Sequence, residues 1–427
     1  MISRKKKSNT EPERLRSGGE VNHMINVIGL GYIGLPTALM LAAHGQEVVG
    51  TDLSEAVVAS LNAGQVNLLE KGMEDLFQRA VKGGIRFSTA YQKAQVYIIS
   101  VPTPYLPETK CVDAGYVEAA VRTVLEVCPK GAVVVIESTV SPGTIDRKIR
   151  PLIREKGLEG DVFLVHAPER IIPGNMLYEL EHNNRTVGAD EPRIGAMVKA
   201  LYASFCKGEI VFTDIPTAEM TKVVENTFRA VNIAFANELA KICRENGLDV
   251  YEVIRICNKH PRVNILQPGP GVGGHCISVD PWFLVGDYPQ TATLTAAAMD
   301  TNAGMPKFVL RRIRQILEER GIRDITRVGL YGLAYKANVD DCRESPALQL
   351  RQVVEEAYGV TPVSYDPYVK KDILPNQCHD LGAFLEQVDL VVILVGHNEI
   401  RDRAAALEGK TVLDCCNLPE ISNAYHL

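Results

Sequence analysis

A chain of 427 residues, 46% hydrophobic and 23% charged, has a globular composition and is too long for one ordinary core, so two or three domains are expected. No apolar run reaches the roughly 18 to 20 residues that cross a bilayer, and the polar start has no apolar signal-peptide core, so the expected location is cytoplasmic, with no membrane partner. The net charge of −6 gives no general basis for holding nucleic acid, and ten scattered cysteines without a C-x-x-C pair argue against a disulfide framework or a metal site.

Residues 1–23 are polar, with a basic cluster at Lys5 to Lys7, and are expected to be disordered. They read as a solvated extension, as a segment upstream of a start at Met24, or as an electrostatic anchor. From Met24, "INVIGLGYIGLPTALMLAAHGQEVVGTD" gives a short apolar strand, a glycine turn, an apolar helix and a second strand ending in Asp52. In that setting Gly29 permits the tight turn, Gly31 lets a pyrophosphate approach the backbone, and Gly34 allows close packing of helix on strand. The phosphates would sit at the helix N-terminus, where free N–H groups favour negative charge. Asp52 would accept from an adenosine ribose and repel a 2′-phosphate, which selects NAD over NADP.

Further apolar runs at "QVYIISVPTP", "GAVVVIEST" and "VFLVHAPER", separated by helix-length segments, predict a parallel doubly wound sheet over 24–212. Thr103 and Thr139 fall just past strands, on the face where such sheets bind ligands; each also reads as a helix cap or turn former. Glu169 and Arg170 follow a strand in the same way, as an ion pair or as ligands. Residues 213–247 have helical apolar periodicity, with Pro216 and Thr217 at the start and Gly247 at the end. Lys222, Asn226 and Arg229 share one stripe of that helix, either a solvated face or the polar wall of a site. His260 and Arg262 precede "QPGPGVGGHCISVDPW", where Cys276 and Asp280 follow a glycine-rich run that does not resemble core.

The last third repeats the opening scheme, with "RVGLYGLAYK" as strand and turn and "TPVSYDPY" as the second strand with its acidic end. The expected fold is therefore α/β: two Rossmann-like doubly wound domains, at 24–212 and 319–427, joined by a central helical segment at 213–318. That segment suits a dimer interface or burial within one chain. An NAD site, a thiol in a flexible glycine setting, a helix-borne lysine and several arginines together imply redox chemistry with a covalent intermediate on an anionic substrate. A thiol becomes useful when oxidation continues past an aldehyde. A two-electron hydroxyacid dehydrogenase and a binding-only sensor are the other readings.

"GLGYIGLP", "SVPTP", "ESTVSPGT", "APERIIPG", "AEMTKVVENTFRAVNIAFANEL", "GPGVGGHCISVDPWFL" and "GLAYKANVDDCRESPA", in that order over about residues 24 to 420, resemble the UDP-glucose/GDP-mannose 6-dehydrogenase family. The resemblance implies oxidation of a sugar C6 alcohol to the carboxylate with two NAD reduced. Its glycine loop is most similar to the branch acting on UDP-N-acetyl-D-mannosamine; UDP-N-acetylglucosamine and UDP-glucose are the alternatives.

By motif match the resemblance implies Cys276 as nucleophile, Lys222 as acid/base or oxyanion-stabilising group with Asn226 beside it, and Glu169 and Asp280 as carboxylates for proton transfer and site ordering. It assigns Tyr32, Ile33, Asp52, Thr103, Thr139 and Arg343 to NAD. It assigns Arg170, Ile171, Lys222, Asn226, Arg229, His260, Arg262, Gly273, Tyr335 and Lys336 to the UDP-sugar, with His260 and Arg262 reaching the partner's site in a homodimer. One departure stands out: where the family's last strand commonly ends in D-x-R-N, this chain reads Asp414-Cys415-Cys416-Asn417, so Cys416 takes a basic position and supplies no charge.

Overall fold

The computed structural model describes residues 24–427 apart from 67, 69 and 173; the expected extension at 1–23, with Lys5 to Lys7, lies outside the described residues. Eight strands form the first sheet: β1 (Ile25–Ile28), β2 (Val48–Thr51), β3 (Arg86–Ser88), β4 (Val96–Ile99), β5 (Ala132–Ile136), β6 (Val162–His166), β7 (Arg185–Ala189) and β8 (Ile210–Thr213). Their order is β3-β2-β1-β4-β5-β6-β7-β8. Of the five strands read from sequence, β1, β4, β5 and β6 are central, and both of their faces are covered. Ile98 and Val135 enter one core while Tyr97, Ile99 and Val134 enter the other, which is why these strands are apolar throughout rather than alternating.

The sheet differs from the expected wholly parallel one at its far side. β7 runs antiparallel to β6, and β8 follows β7 in parallel. The segment after β6 turns back at the same end of the sheet instead of crossing over its face, so the reversal leads the chain out toward the centre of the molecule.

Between β1 and helix α1 (Gly34–Ala43) the backbone turns at Gly29, with φ of +88°. A side chain would be strained there. Gly34 is constrained by space instead: a Cβ on it would fall onto the carbonyl oxygen of Gly29. Such packing lets the helix N-terminus stand directly over the strand end.

The central segment is led by α2 (Ile215–Glu245), whose N-cap Asp214 accepts the Thr217 N–H at 2.7 Å. Then come α3 (Val250–Cys257), the glycine-rich loop, α4 (Asp280–Asp287), α5 (Thr293–Ala303) and α6 (Met305–Arg320). The second sheet comprises β9 (Val328–Tyr331), β10 (Val363–Tyr365), β11 (Gln377–Cys378), β12 (Leu390–Ile393), β13 (Thr411–Asp414) and β14 (Tyr425–His426), all parallel, in the order β11-β10-β9-β12-β13-β14. It too is buried on both faces. Among the described residues, no helix is long and apolar enough to cross a membrane.

The two glycines separate packing from ligand approach. Gly34→Ala should destabilise the protein by about 1–3 kcal/mol, because the extra carbon meets backbone, and lower the thermal unfolding midpoint by several degrees. At Gly31 a Cβ would meet nothing within 4 Å, so Gly31→Ala should leave the midpoint unchanged in the ligand-free protein. Calorimetric scans of the two variants check this.

Candidate active site

Loops from both sheets meet at α2 and enclose a cleft of about 340 Å³. The glycine turn gives Tyr32 and Ile33, the loop after β6 gives Arg170 and Ile171, and α2 gives Lys222, Asn226 and Arg229. The glycine-rich loop supplies Gly273 and Cys276, and the loop after β9 supplies Tyr335, Lys336 and Arg343. Twelve residues singled out from sequence therefore line one cavity. Glu225, Met176, Ile172, Gly274, His275 and Ile277 also line it; the sequence had given them no role, although all but Met176 lie within the quoted motifs.

Cys276 is accessible from the cleft but lies deep in it, with Lys222, Asp280, Arg229 and Arg343 around it. Burial raises its thiol above the ordinary range, Asp280 pushes the same way, and the three cations oppose both. Asp280 stands behind the cleft at the start of α4, almost inaccessible, with Oδ2 accepting from Asn226 Nδ2 at 2.6 Å. Its carboxyl is pushed up to about 6 by burial, while Lys222 and the Asn226 hydrogen bond pull it down. This contact orients Asn226 and leaves the Lys222 ammonium, itself buried, at the cleft wall.

The glycine-rich loop is held more firmly than its composition suggests. Asn232 donates to the Asn264 carbonyl at 2.9 Å and accepts from Leu266 N–H at 3.1 Å, and Asn237 accepts from Gly269 N–H at 2.9 Å. Gly274 donates its N–H to the Arg343 carbonyl at 2.9 Å, and Ser278 donates to the Gly274 carbonyl. The expectation of a flexible setting for the thiol is corrected accordingly: glycine here allows close approach, and Tyr335 fills the space a side chain at Gly274 would need.

Glu169 and Arg170 do not pair with each other's side chains. Arg170 binds Glu225 of α2 at 2.7 Å and Thr186 Oγ1 at 2.7 Å. Glu169 faces inward, where its carboxylate accepts the Arg170 N–H at 2.6 Å and is ion-paired with Arg185. Arg185 is buried on β7 with Glu137 at 3.8 Å and the Tyr202 ring 4.4 Å from its guanidinium. Burial pushes Glu137 up to about 7, and Arg185 opposes that rise. Of this cluster the sequence had marked Glu169 alone, because Arg185, Glu137 and Tyr202 lie far from one another along the chain.

A second cavity of about 200 Å³ is bordered by Gly29, Thr51, Asp52, Leu53, Tyr91 and Tyr116, among others. Asp52 Oδ2 accepts the Leu30 N–H at 2.8 Å and Oδ1 the Ser54 N–H at 2.9 Å. Leu53 is 79% exposed at its mouth. An acidic acceptor beside exposed apolar walls fits the adenosine half of a dinucleotide, with Gly31 and the start of α1 between the two cavities. At the wall of the first cavity, the Arg343 guanidinium lies 4.9 Å from the Tyr32 ring centre and is held by Asp341 at 2.6 Å.

Thr103 is buried and Thr139 partly buried, and neither borders these cavities. His260 and Arg262 are exposed on the loop after α3, outside the cleft of their own chain. Cys416 packs at the end of β13, its N–H donating to Asp414 at 2.8 Å and its thiol raised by burial. It is apolar filling and not a charge.

Residues 23–206 match the NAD-binding domain of the UDP-glucose/GDP-mannose dehydrogenase family, residues 216–304 its central domain and residues 329–420 its UDP-binding domain. The chain belongs to this family. This dehydrogenase uses NAD and a UDP-sugar. It is 41% identical over 411 residues to UDP-N-acetyl-D-mannosamine dehydrogenase of Methanocaldococcus jannaschii, covering 93% of each chain. It is also 41% identical over 409 residues to NDP-N-acetyl-D-galactosaminuronic acid dehydrogenase of Ralstonia nicotianae, covering 91% of this chain and 95% of the other. A solved UDP-N-acetyl-mannosamine dehydrogenase from Staphylococcus aureus superposes with a TM-score of 0.84 at 37% identity, over 95% of this chain and 96% of that one.

Thiolate is the reactive form of a cysteine, and its fraction climbs with pH until the group's pKa is passed. With that pKa raised in the dehydrogenase, iodoacetamide labelling of Cys276, followed by peptide mass spectrometry, should keep accelerating past its ordinary value of 9.0. A plateau below neutral pH would contradict the assigned environment.

Proposed function

We propose that the chain oxidises the C6 alcohol of UDP-N-acetyl-D-mannosamine to the carboxylate, in the synthesis of a surface polysaccharide or glycan precursor in the cytoplasm. The observation that carries the mechanism is the convergence of Cys276, Lys222 and the Asn226–Asp280 pair on one cleft. The sugar is supported by relatives named for it at about 40% identity over nearly the whole chain.

NAD, held by the glycine turn after β1 and by Asp52, would supply the hydride acceptor for each of two oxidations. In the first, the C6 hydroxyl proton passes to Asp280 by way of Lys222, which gives one proton to that carboxylate as it takes up the other and so steadies the developing alkoxide, with Asn226 beside it; loss of the C6 hydride then leaves an aldehyde. The Cys276 sulfur adds to the aldehyde carbon, and its proton passes to the former carbonyl oxygen, giving a thiohemiacetal. Loss of hydride from that carbon, with the hydroxyl proton leaving by the same Lys222–Asp280 route, leaves a thioester on Cys276. Water attacks the thioester, Glu169 is the proposed acceptor of its proton, and the thiolate departs and is reprotonated. Arg170, Arg229 and Lys336 neutralise the diphosphate, while Ile171, Gly273 and Tyr335 flank the nucleotide sugar. Tyr32, Ile33, Thr103, Thr139 and Arg343 are proposed at the NAD side, with Gly29, Gly31, Gly34 and Asp52 holding its adenosine and phosphates.

The same reading divides the chain at residues 212 and 318 and makes it a homodimer. Along α2, Met220, Val224, Phe228, Phe235 and Ile242 form an exposed apolar stripe, with Phe228 69% exposed. A second copy covering that stripe would bring His260 and Arg262 of one protomer toward the cleft of its partner.

NADH formation with UDP-N-acetylmannosamine, UDP-N-acetylglucosamine, UDP-N-acetylgalactosamine, UDP-glucose and GDP-mannose tests the sugar: UDP-N-acetylmannosamine should give the highest kcat/KM, and preference for another sugar refutes the choice. Two NADH should form per sugar consumed. Cys276→Ser should retain NAD binding and lose acid formation, by a factor of roughly 10³ or more for removal of a nucleophile; one NADH per sugar, or unchanged turnover of the variant, excludes the thioester route.

A further inference from the structure

The two sheets repeat each other where the chain leaves the first strand. In the N-terminal sheet it leaves β1 at Gly29, and Asp52, past β2, accepts the Leu30 N–H at 2.8 Å. In the C-terminal sheet it leaves β9 at Gly332, and Asp366, past β10, accepts the N–H groups of Leu333 at 2.7 Å and Ala334 at 2.9 Å. The pairings of Ile25 with Val96 and of Val328 with Leu390 set the next strands in the same register. Counted from those partners, Thr103 and His397 occupy equivalent places.

There the likeness stops. Asp52 opens onto a cavity, whereas Asp366 and His397 are both fully buried. His397 Nε2 lies 3.1 Å from Asp366 Oδ2, and Nδ1 lies 2.9 Å from the Asn338 backbone nitrogen. Because Nδ1 accepts from an amide it carries no proton, so the ring is neutral and its hydrogen sits on Nε2, donated to Asp366. Asp366 Oδ1 takes the N–H groups of Tyr368 at 2.8 Å and Val369 at 3.2 Å. With five donors on one carboxylate, nothing remains for a ribose. Burial works against the charge on Asp366, but His397 and the backbone donors outweigh it and hold the group below its ordinary value.

The loop that these bonds fasten is the one that enters the cleft. Asp366 grips its start at Leu333 and Ala334, and His397 grips it at Asn338. Between the grips stand Tyr335 and Lys336, both at the cleft wall. Arg343, farther on, has its own supports in Asp341 and Gly274. We propose that His397 is a positioning residue for the nucleotide sugar: through Asn338 and Asp366 it aims Tyr335 and Lys336 at the substrate. The inference rests on the reading of the cleft as the UDP-sugar site.

Two variants divide the role. His397→Gln can still reach Asp366 but loses the acceptor for Asn338. His397→Asn keeps an acceptor near Nδ1, and a favourable residue at the N-cap of the helix Asn398–Asp402, but cannot reach Asp366. Calorimetric titration with UDP alone, with steady-state kinetics beside it, reads the outcome. The UDP dissociation constant and the KM for the sugar nucleotide should rise together, roughly tenfold in His397→Gln, as misplacing a pair of polar contacts costs, and less in His397→Asn. The KM for NAD should stay within about twofold, since Arg343 is anchored separately. Unchanged UDP affinity in both variants overturns the proposal, as does a fall in kcat with both KM values intact, the signature of partial unfolding. If His397→Gln does not fold, His397→Asn carries the same comparison. A parent protein that fails to bind UDP refutes the reading of the cleft and this proposal with it.

Discussion

A carboxylate at the end of the second strand, gripping the backbone N–H just past the first, is the constraint on which both halves of the molecule depend. A glycine turn leaves amide groups pointing at the sheet end with no strand partner, and burying them unpaired would cost more than the turn could bear. Asp52 settles this in one sheet and Asp366 in the other. The difference lies in what remains. Asp52 keeps an open side and faces a cavity, while Asp366 is saturated by amides and a histidine. One architecture thus leaves an open acceptor beside a cavity in one half and a saturated loop support in the other.

Between the halves, α2 acts as the common ruler. Its polar side chains each hold a different loop. Glu219 takes the N–H groups of Gly143 and Ile145 at 2.5 and 2.9 Å, behind the strand that precedes Thr139. Glu225 holds Arg170, Asn226 holds Asp280, and Asn232 and Asn237 hold the stretch leading to the thiol. At 1.5 Å per residue its 31 residues span about 46 Å. Loops rooted in two different sheets are thereby brought to fixed heights around Cys276, and the side chains that line the cleft need no sheet of their own.

What the sequence disclosed follows from the range of the forces involved. Strands covered on both faces announce themselves as runs such as "AVVVI", and α2 by periodicity between Pro216 and Gly247, because those patterns are local. The short strands β3, β11 and β14 are set by pairing to a neighbour already in place and leave little local trace, and the reversal at β7 depends on where a connection turns. The cleft residues were legible as motifs. Their supports were not: Arg185, Glu137 and the asparagines of α2 make bonds to residues tens of positions away, and nothing adjacent in the chain distinguishes a buried Glu137 from a solvated one. Glycine content suggested mobility for the thiol loop, whereas side chains elsewhere fasten it.

The ruler also restricts how the gene can change length. Surface connections absorb insertions cheaply, but one residue added to α2 between Glu219 and Asn237 would rotate everything beyond it by about 100° and shift it by 1.5 Å. Gly143, Arg170, Asp280 and Gly269 could then no longer be met by the same helix. Added length in this chain is therefore best borne at loop tips, whereas the bonds made from Glu219 to Asn237 require the residue count of that stretch to stay as it is.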